Sequence, residues 1–238
     1  MEIVQFIFST WWITFLGGFL FFTFLYFGGA FLGLLLKKKF KLAAISPYRN
    51  YSQQVKKEIK ISLLSVTVFA LEGIPVQWAY TQGYIHISEQ ASIWALCLQV
   101  SILFLWNELH FYLSHYLLHH RWFFKKVHYL HHQSTTPTEF STYSFHWFEA
   151  VLLGSVIYLP MLLYPFHYLA LLLLPVMSIL LNVLGHWNHD LAAGKSSQHW
   201  LGFCHRHSLH HQKVRGNYGF FLQIFDKLFN TNLKNERA

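Results

Sequence analysis

Long apolar runs constrain this chain more than any other feature of its sequence. The first run extends from Ile3 to Leu36, and later runs cover Ile61 to Ile87, Ala91 to Leu113 and Ala150 to Leu184. A helix needs roughly 20 predominantly apolar residues to cross the ~30 Å hydrocarbon core of a bilayer. Only 12% of the residues are charged, compared with about 25% in soluble domains. The runs therefore predict an all-α integral membrane protein.

The lengths of the runs predict four to five transmembrane helices. As one helix the first run would be ~50 Å long, so we expect tilt, an interfacial extension or a break near Gly17-Gly18. The last run is interrupted at residues 164–167 and is interpreted as a hairpin of two spans. A length of 238 residues favours a single domain over residues 1–238. Residues 1–107 would form the N-terminal spans, and residues 108–231 a catalytic region that includes the hairpin at 150–184.

The distribution of charge indicates a membrane orientation. The formal net charge is +8, and eight of the eighteen basic residues lie between Lys37 and Lys60, at the end of the first apolar run. Basic residues that flank a span mark its cytoplasmic end, so no nucleic acid partner is expected. This assignment places the histidine-rich segments on the cytoplasmic side of a bacterial inner membrane or of the endoplasmic reticulum. Two cysteines, Cys97 and Cys204, form no disulfide framework.

The histidines form spaced motifs. Of the seventeen histidines, fifteen lie within residues 110–146 or 186–211. His115 and His119 are four residues apart, and the pattern HxxHH occurs at residues 128–132 and again at 207–211. On a helix, positions i, i+3 and i+4 share one face, so each set is expected to point its imidazoles in one direction. This spacing favours a metal site over a flexible metal-scavenging tract or a solvated face.

The number and type of ligands narrow the choice of metal. Eight imidazoles exceed the four ligands of a structural zinc site, and no pair of cysteines is available, so two ions are needed. Imidazole suits zinc, iron, copper and nickel. Zinc is redox-inert, and the zinc-hydrolase motif HExxH and the ExxH pattern of di-iron bundles are both absent from the sequence. The sequence therefore favours iron in a centre made largely of imidazoles.

An ordered series of motifs between Glu108 and Thr231 resembles the fatty acid hydroxylase and sterol desaturase superfamily of membrane oxygenases. The series follows the family order at residues 115–119 (HxxxH), 128–132 (HxxHH), 146–149 (HWFE), 182–186 (NxxxH), 207–211 (HxxHH), 217–219 (NYG) and 225–231 (FDKLFNT). A single HxxHH is a weak signal, whereas the ordered set is specific. The resemblance covers half of the chain.

The resemblance implies a set of ligands and neighbouring residues. His120 is an alternative to His119, and His189 is an alternative to His186. Glu108 is a candidate for a carboxylate that orients a ligand by accepting its second N–H group, with a capping or interfacial role as the alternative. The implied metal ligands are His115, His119, His128, His131, His132, His146, His186, His207, His210 and His211.

The resemblance also implies a reaction. Two Fe2+ ions, replaceable by zinc in overexpressed protein, would use O2 to hydroxylate or desaturate a membrane lipid such as a sterol or fatty acyl chain. No flavin, nucleotide or haem motif is visible, so electrons would come from an external donor such as cytochrome b5 or a ferredoxin. Two other interpretations are an inactive structural or regulatory relative and a divalent-metal transporter. Candidate substrate-lining residues, which could instead form an interfacial aromatic belt, are Tyr143, Phe145, Trp147 and Phe148.

Overall fold

The computed structural model describes residues 2–42, 44–48, 50–191 and 199–233. These residues are helical or form connections, and their only β-type pairings are two isolated bridges. The prediction of an all-α fold is confirmed. The helices are α1 (Glu2–Ile7), α2 (Trp11–Phe40), α3 (Tyr51–Thr81), α4 (Ile93–Leu118), α5 (residues 121–132), α6 (Trp147–Leu163), α7 (Tyr168–His186), α8 (Phe203–Lys213) and α9 (Ile224–Leu228).

Four of these helices, α2, α3, α4 and α7, are long and apolar enough to cross a membrane. The predicted hairpin has one such arm, α7, and one shorter arm, α6. A 3-10 turn at Ser155–Ile157 divides α6, and at 1.5 Å per residue the whole arm is only about 25 Å long. The range of four to five spans therefore resolves into four long helices and one short apolar arm.

The first apolar run is interrupted at residues 8–10, between α1 and α2, and not at Gly17-Gly18 as expected. The Thr14 hydroxyl donates to the Ile7 carbonyl at 2.7 Å and so ties the two helices together. Gly18 lies inside α2, against α3, where an added Cβ would be 3.4 Å from Cα of Ala70. The glycine therefore allows two helices to pack closely and does not break one.

Two buried glutamates fasten the connection between α5 and α6 to the first two spans. Glu58 of α3 accepts a hydrogen bond from the Ser134 hydroxyl at 2.7 Å. Glu139, within the connection, accepts from Lys37 at 2.6 Å and from the Tyr51 hydroxyl at 2.9 Å. This connection carries the chain from the second histidine motif back to the membrane helices. The basic end of α2 and the histidine-rich segments therefore share one end of the molecule.

Candidate metal centre

Nine histidines converge into two adjacent groups, each of which could hold a metal ion. One ligand nitrogen from each residue lies within 4.8 Å of those of the other members of its group. All nine are buried except His119, which is partly exposed. We name the groups by size: the five-histidine cluster comprises His115, His119, His128, His132 and His210, and the four-histidine cluster comprises His131, His186, His207 and His211.

Each HxxHH motif is divided between the two clusters, and the two motifs divide in opposite senses. His128 and His132 belong to the five-histidine cluster and His131 to the four-histidine cluster, whereas α8 sends His210 to the former and its other two motif histidines to the latter. The expectation that each motif points in one direction therefore holds only for positions i and i+4. At 3.6 residues per turn, positions i and i+4 point in directions only about 40° apart, whereas positions i+3 and i+4 differ by about 100°. The histidine at position i+3 therefore reaches the other cluster.

Four helices supply the nine side chains. The long apolar helices α4 and α7 end at the clusters, because His115 and His186 lie in their last turns and His119 caps α4. The short helices α5 and α8 contribute three imidazoles each. A π-helical turn at Phe124–His128 immediately precedes the last turn of α5. Such turns occur frequently at functional sites, since they change the direction in which the following side chains point.

The nitrogens of the five-histidine cluster have the separations expected of ligands to one ion. The Nε2 atom of His132 lies 3.1 Å from that of His128, 3.3 Å from that of His119 and 3.2 Å from that of His210. His119 and His210 are themselves 3.1 Å apart at Nε2. Two nitrogens bound to one ion at about 2.1 Å lie ~3.0 Å apart at right angles and ~3.4 Å apart at the tetrahedral angle.

The four-histidine cluster has the same spacing. The Nε2 atom of His186 lies 3.3 Å from that of His131 and 2.9 Å from that of His207. The Nε2 atom of His211 is 3.1 Å from that of His207. Both clusters therefore match the geometry of imidazoles that share a cation.

Hydrogen bonds at the outer ring nitrogens show which atoms face the ions. Nδ1 of His115 donates to the Tyr218 carbonyl at 2.8 Å, and Nδ1 of His210 donates to the Gly216 carbonyl at 2.7 Å. A carbonyl oxygen can only accept, so these Nδ1 atoms carry the proton and the Nε2 atoms present lone pairs. Lone pairs that face one another at about 3 Å repel unless a cation lies between them. The donor set therefore fits a metal ion.

Burial keeps the imidazoles in the neutral form that binds metal. Desolvation lowers the pKa of His210 to about 4, against a smaller opposing effect of the hydrogen bond to the Gly216 carbonyl. Desolvation, followed by the nearby imidazoles, also holds the pKa values of His131 and His211 well below their usual range. Neutral rings with free Nε2 atoms are the species that coordinate transition metals.

Glu149 is the carboxylate that orients a histidine. Its Oε1 atom accepts from Nδ1 of His128 at 2.8 Å, and both residues are buried. The expectation that Glu108 has this role is not supported, because its Oε2 atom accepts from the Leu222 N–H group at 2.6 Å. Glu108 thus fastens the segment that follows α8. The sequence signal for Glu149 was a lone acid at the start of an apolar run, three residues after His146.

Asp226 holds the loop that positions two of the imidazoles. Its carboxylate accepts from the N–H groups of Tyr218 and Gly219, both at 2.8 Å, and from the Thr231 hydroxyl at 2.7 Å. This loop supplies the carbonyls that fix His115 and His210. Gly216, within the loop, has a positive φ of 64°, and an added Cβ would lie 2.8 Å from the Thr231 carbonyl. The NYG and FDKLFNT motifs therefore hold the loop whose carbonyls fix the outer ring nitrogens of two members of the five-histidine cluster.

Three candidate ligands lie outside the clusters. The sequence led us to expect His146 as a ligand, but its Nδ1 atom accepts from the Phe148 N–H group at 3.2 Å and caps α6. Of the two alternatives, His189 donates from Nδ1 to the Trp187 carbonyl at 2.6 Å, and His120 is exposed just before α5. The number of converging imidazoles is thus nine and not ten.

An apolar cavity of about 240 Å³ lies between the membrane helices. Phe111, Phe145 and Asn182 line this cavity and also a smaller gap bordered by histidines of both clusters. The cavity and the gap beside the candidate metal centre therefore share part of their lining.

Two of the four expected lining residues occupy this cavity. Tyr143 and Phe145 are buried and line it. Trp147 is 54% exposed on the outer face of α6, and Phe148 stacks on Phe123 at a ring-centroid distance of 5.8 Å. Trp147 and Phe148 are not among the residues that line the described cavity, because successive helix residues point in different directions.

Comparisons with known proteins agree with the motif series. The family model described as fatty acid hydroxylase matches residues 100–231. A Delta(7)-sterol 5(6)-desaturase of Gibberella zeae is 27% identical over 192 residues, which are 77% of this chain and 52% of that protein. One from Schizosaccharomyces pombe is 26% identical over 196 residues, 76% of this chain and 58% of that protein. The lathosterol oxidase of Homo sapiens is 24% identical over 188 residues, which are 74% of this chain and 60% of that protein.

The chain thus spans between about half and three fifths of the length of these relatives. No solved structure gives a significant match.

Proposed function

The chain belongs to the fatty acid hydroxylase family, and on this premise we propose that it is a membrane oxidoreductase that uses O2 to desaturate or hydroxylate a lipid. The observation that carries the proposal is that two clusters of converging imidazoles lie at one end of an apolar cavity between membrane helices. Together they support a redox-capable metal centre beside a site for an apolar substrate.

The nine histidines would hold two iron ions, one in each cluster. Iron bound there would supply the O2-dependent oxidation of an unactivated C–H bond. The chain's own residues fix the ligands: Glu149 and the loop held by Asp226 orient the rings of His128, His115 and His210. Outer partners of this kind set both the tautomer and the orientation of a metal-bound histidine.

The cavity residues position the lipid and exclude water. Phe111 and Phe145 form an apolar boundary between the cavity and the imidazoles. Exclusion of water prevents side reactions during oxidation and strengthens electrostatic interactions within the site. The reacting carbon is therefore held at the end of the cavity that meets the clusters.

A sterol-like lipid is the substrate class that we favour. The relatives named above are a sterol desaturase from each of two fungi and a lathosterol oxidase. A compact apolar cavity enclosed by aromatic side chains suits a rigid ring system. Desaturation would remove two hydrogens from a CH–CH unit to give an alkene. O2 would take up these two hydrogens together with two external electrons and two protons and would leave as two molecules of water.

An external carrier supplies the electrons, in the manner of cytochrome b5 or a ferredoxin. Arg121, Lys125 and Lys126 are exposed on α5, the helix that also contributes His128. A basic surface close to the candidate metal centre suits docking of an acidic carrier.

The test of the enzymatic proposal uses purified full-length chain reconstituted with Fe2+ in phosphatidylcholine nanodiscs. Lathosterol, O2 and a chemical reductant are supplied, and products are separated by mass spectrometry. We expect a sterol lighter by two hydrogens, or heavier by one oxygen that derives from 18O2. Iron-loaded protein that consumes no O2 and converts no sterol or fatty acyl lipid would contradict the proposal.

The histidine end of the molecule faces the cytoplasm. This orientation follows from the basic residues of the α2–α3 connection, which share that end. A single cysteine introduced at the exposed residue Thr135, with Cys97 replaced by Ala, should react with an impermeant maleimide only after cells are permeabilised. Labelling of intact cells would show that the histidine end faces away from the cytoplasm and would contradict the proposed orientation.

A further inference from the structure

The apolar cavity contains a carboxylate that the reaction does not use. Glu72 lies in the middle of α3, within the part of that helix that is apolar enough to span a membrane, and it lines the cavity. Its Oε2 atom is buried and has no hydrogen-bond partner among the described residues. Ionisable residues inside membrane helices are costly and commonly mark functional sites. The position of Glu72 therefore needs a functional explanation.

The surrounding residues make room for this carboxylate. The Cα of Gly154 in α6 lies against the Glu72 carboxylate so closely that an added Cβ would overlap Oε2. The Tyr158 hydroxyl donates to the Glu72 backbone carbonyl at 3.2 Å and lies 3.5 Å from Oε1. One oxygen of the carboxylate thus has a distant partner, and the other has none. Buried carboxylate oxygens normally accept hydrogen bonds, since leaving one unmet is unfavourable.

Glu72 is the one acidic residue among those that line the cavity, and the other lining residues with polar side chains are Asn107, His110, Tyr143, Ser178 and Asn182. Nε2 of His110 lies 3.3 Å from the Ser155 hydroxyl, and the Asn182 side-chain amide donates to the Ser178 carbonyl at 2.8 Å. The remaining lining is mostly aromatic and aliphatic. A ligand with a large apolar body and one small polar group matches this distribution.

The polar group lies at a distance from the metal centre that a ring lipid can bridge. On α6, Gly154 is five residues from Glu149, which contacts His128, and this separation corresponds to a rise of about 7.5 Å. On α4, His110 is likewise five residues before His115. The carboxylate is thus about one and a half helical turns deeper in the cavity than the imidazoles.

We propose that Glu72 accepts a hydrogen bond from the hydroxyl group of the lipid substrate and thereby fixes the position of the lipid in the cavity. The ligand class is a lipid alcohol with a rigid apolar body. A fatty acid would bring a second carboxyl group beside Glu72, which is unfavourable because at least one of the two groups would then have to stay protonated. This inference rests on the proposed function in that it takes the cavity as the lipid site.

The test measures binding, separately from turnover. Full-length chain in phosphatidylcholine nanodiscs is equilibrated with tritiated lathosterol, which is then displaced by unlabelled lathosterol or by its 3-O-methyl ether. The ether has the same apolar body but no donor. We expect wild-type protein to prefer the free alcohol by about tenfold, the effect of one hydrogen bond worth roughly 1.4 kcal/mol. Oleic acid at the same concentration should displace little of the label.

Variants assign the preference to Glu72. Glu72→Leu should lose it, whereas Glu72→Gln should keep much of it, because the amide oxygen also accepts. Val76→Ala, a matched change in the apolar lining of the same helix, should weaken both sterols equally and leave the preference intact. Three outcomes would overturn the inference. Glu72→Leu could show the same preference as wild type, wild type could show no preference, or oleic acid could displace the label as effectively as the sterol.

The failure of this inference can be told apart from the failure of the proposed function. His211→Ala protein, which should be unable to oxidise the sterol, should still prefer the free alcohol. Wild-type protein that oxidises lathosterol and its ether equally well, and binds them equally, overturns the role of Glu72 alone. Wild-type protein that keeps the preference but forms no product from any lipid contradicts the proposed oxidation alone.

Discussion

The five-histidine cluster and the four-histidine cluster draw on the same two HxxHH motifs but differ in their surroundings. The five-histidine cluster includes the partly exposed His119, and carbonyls or a carboxylate fix the outer nitrogens of three of its members. The four-histidine cluster is wholly buried, and His186 is the member whose outer nitrogen has a described hydrogen bond, to the Asn182 carbonyl at 2.8 Å.

This difference indicates that the two proposed ions have unequal surroundings. An ion that accepts six ligands would have about one coordination position not filled by imidazole in the five-histidine cluster and about two in the four-histidine cluster. Loss of one imidazole leaves four donors in the first case and three in the second. The smaller cluster should therefore be the more sensitive to loss of a ligand.

The largest expected effect comes from adjacent substitutions on α8. His211→Ala removes one of four imidazoles, and His210→Ala removes one of five. We expect His211→Ala to lose close to one metal ion per chain and to lower sterol oxidation by about a thousandfold or more, whereas His210→Ala retains more metal. Both residues are fully buried, so the cavities left behind are matched. Elemental analysis and product assay on the same samples provide the measurement.

Identical metal loss in the two variants would break the comparison, because it would show that the ions bind as one unit. Greater metal loss in His210→Ala would reverse the comparison and make the five-histidine cluster the weaker site. Correct insertion of both variants, checked by size-exclusion chromatography, separates loss of a ligand from misfolding.

A smaller effect is expected from the carboxylate that supports the larger cluster. Glu149→Gln keeps the size of the side chain but weakens the hydrogen bond to Nδ1 of His128. We expect activity or metal affinity to fall by roughly 10- to 100-fold, the range typical of outer partners of a metal ligand. Glu108→Gln is the matched control, since Glu108 is equally buried and bonds to the Leu222 N–H group. An equal or larger defect in Glu108→Gln would show that the imidazole contact is not the reason.

The smallest effect is expected at His146, which lies outside both clusters. His146→Ala should remove the cap of α6 and cost about 1 kcal/mol of stability, visible as a lower unfolding temperature. Metal content and sterol oxidation should match wild type. Loss of metal from this variant would place His146 in the centre, as the resemblance to the family implied.

Several residues show how far sequence reasoning extends. The apolar runs predicted the membrane helices, and the motif spacing singled out eight of the nine histidines that converge. The resemblance to the family added the ninth, His186. His146 was included because its motif resembles that of the family, but a histidine at the start of a helix can cap it instead. Glu108 and Glu149 are both lone acids beside histidine motifs. Sequence position drew attention to Glu108, whereas Glu149 is the one that contacts His128. Glu72 was visible as an isolated acid in an apolar run, although nothing local showed what it faces.

The sequence by itself determined the membrane helices and eight of the converging histidines, because helical periodicity and hydropathy are properties of neighbouring residues. Only the tertiary structure decided how those histidines divide into five and four, which carboxylate supports them and which aromatic residues enclose the cavity. Each of these depends on the relative rotation of α4, α5, α7 and α8. That rotation depends on contacts between residues far apart in the chain, such as those of Glu108 with the Leu222 N–H group and of Glu58 with Ser134.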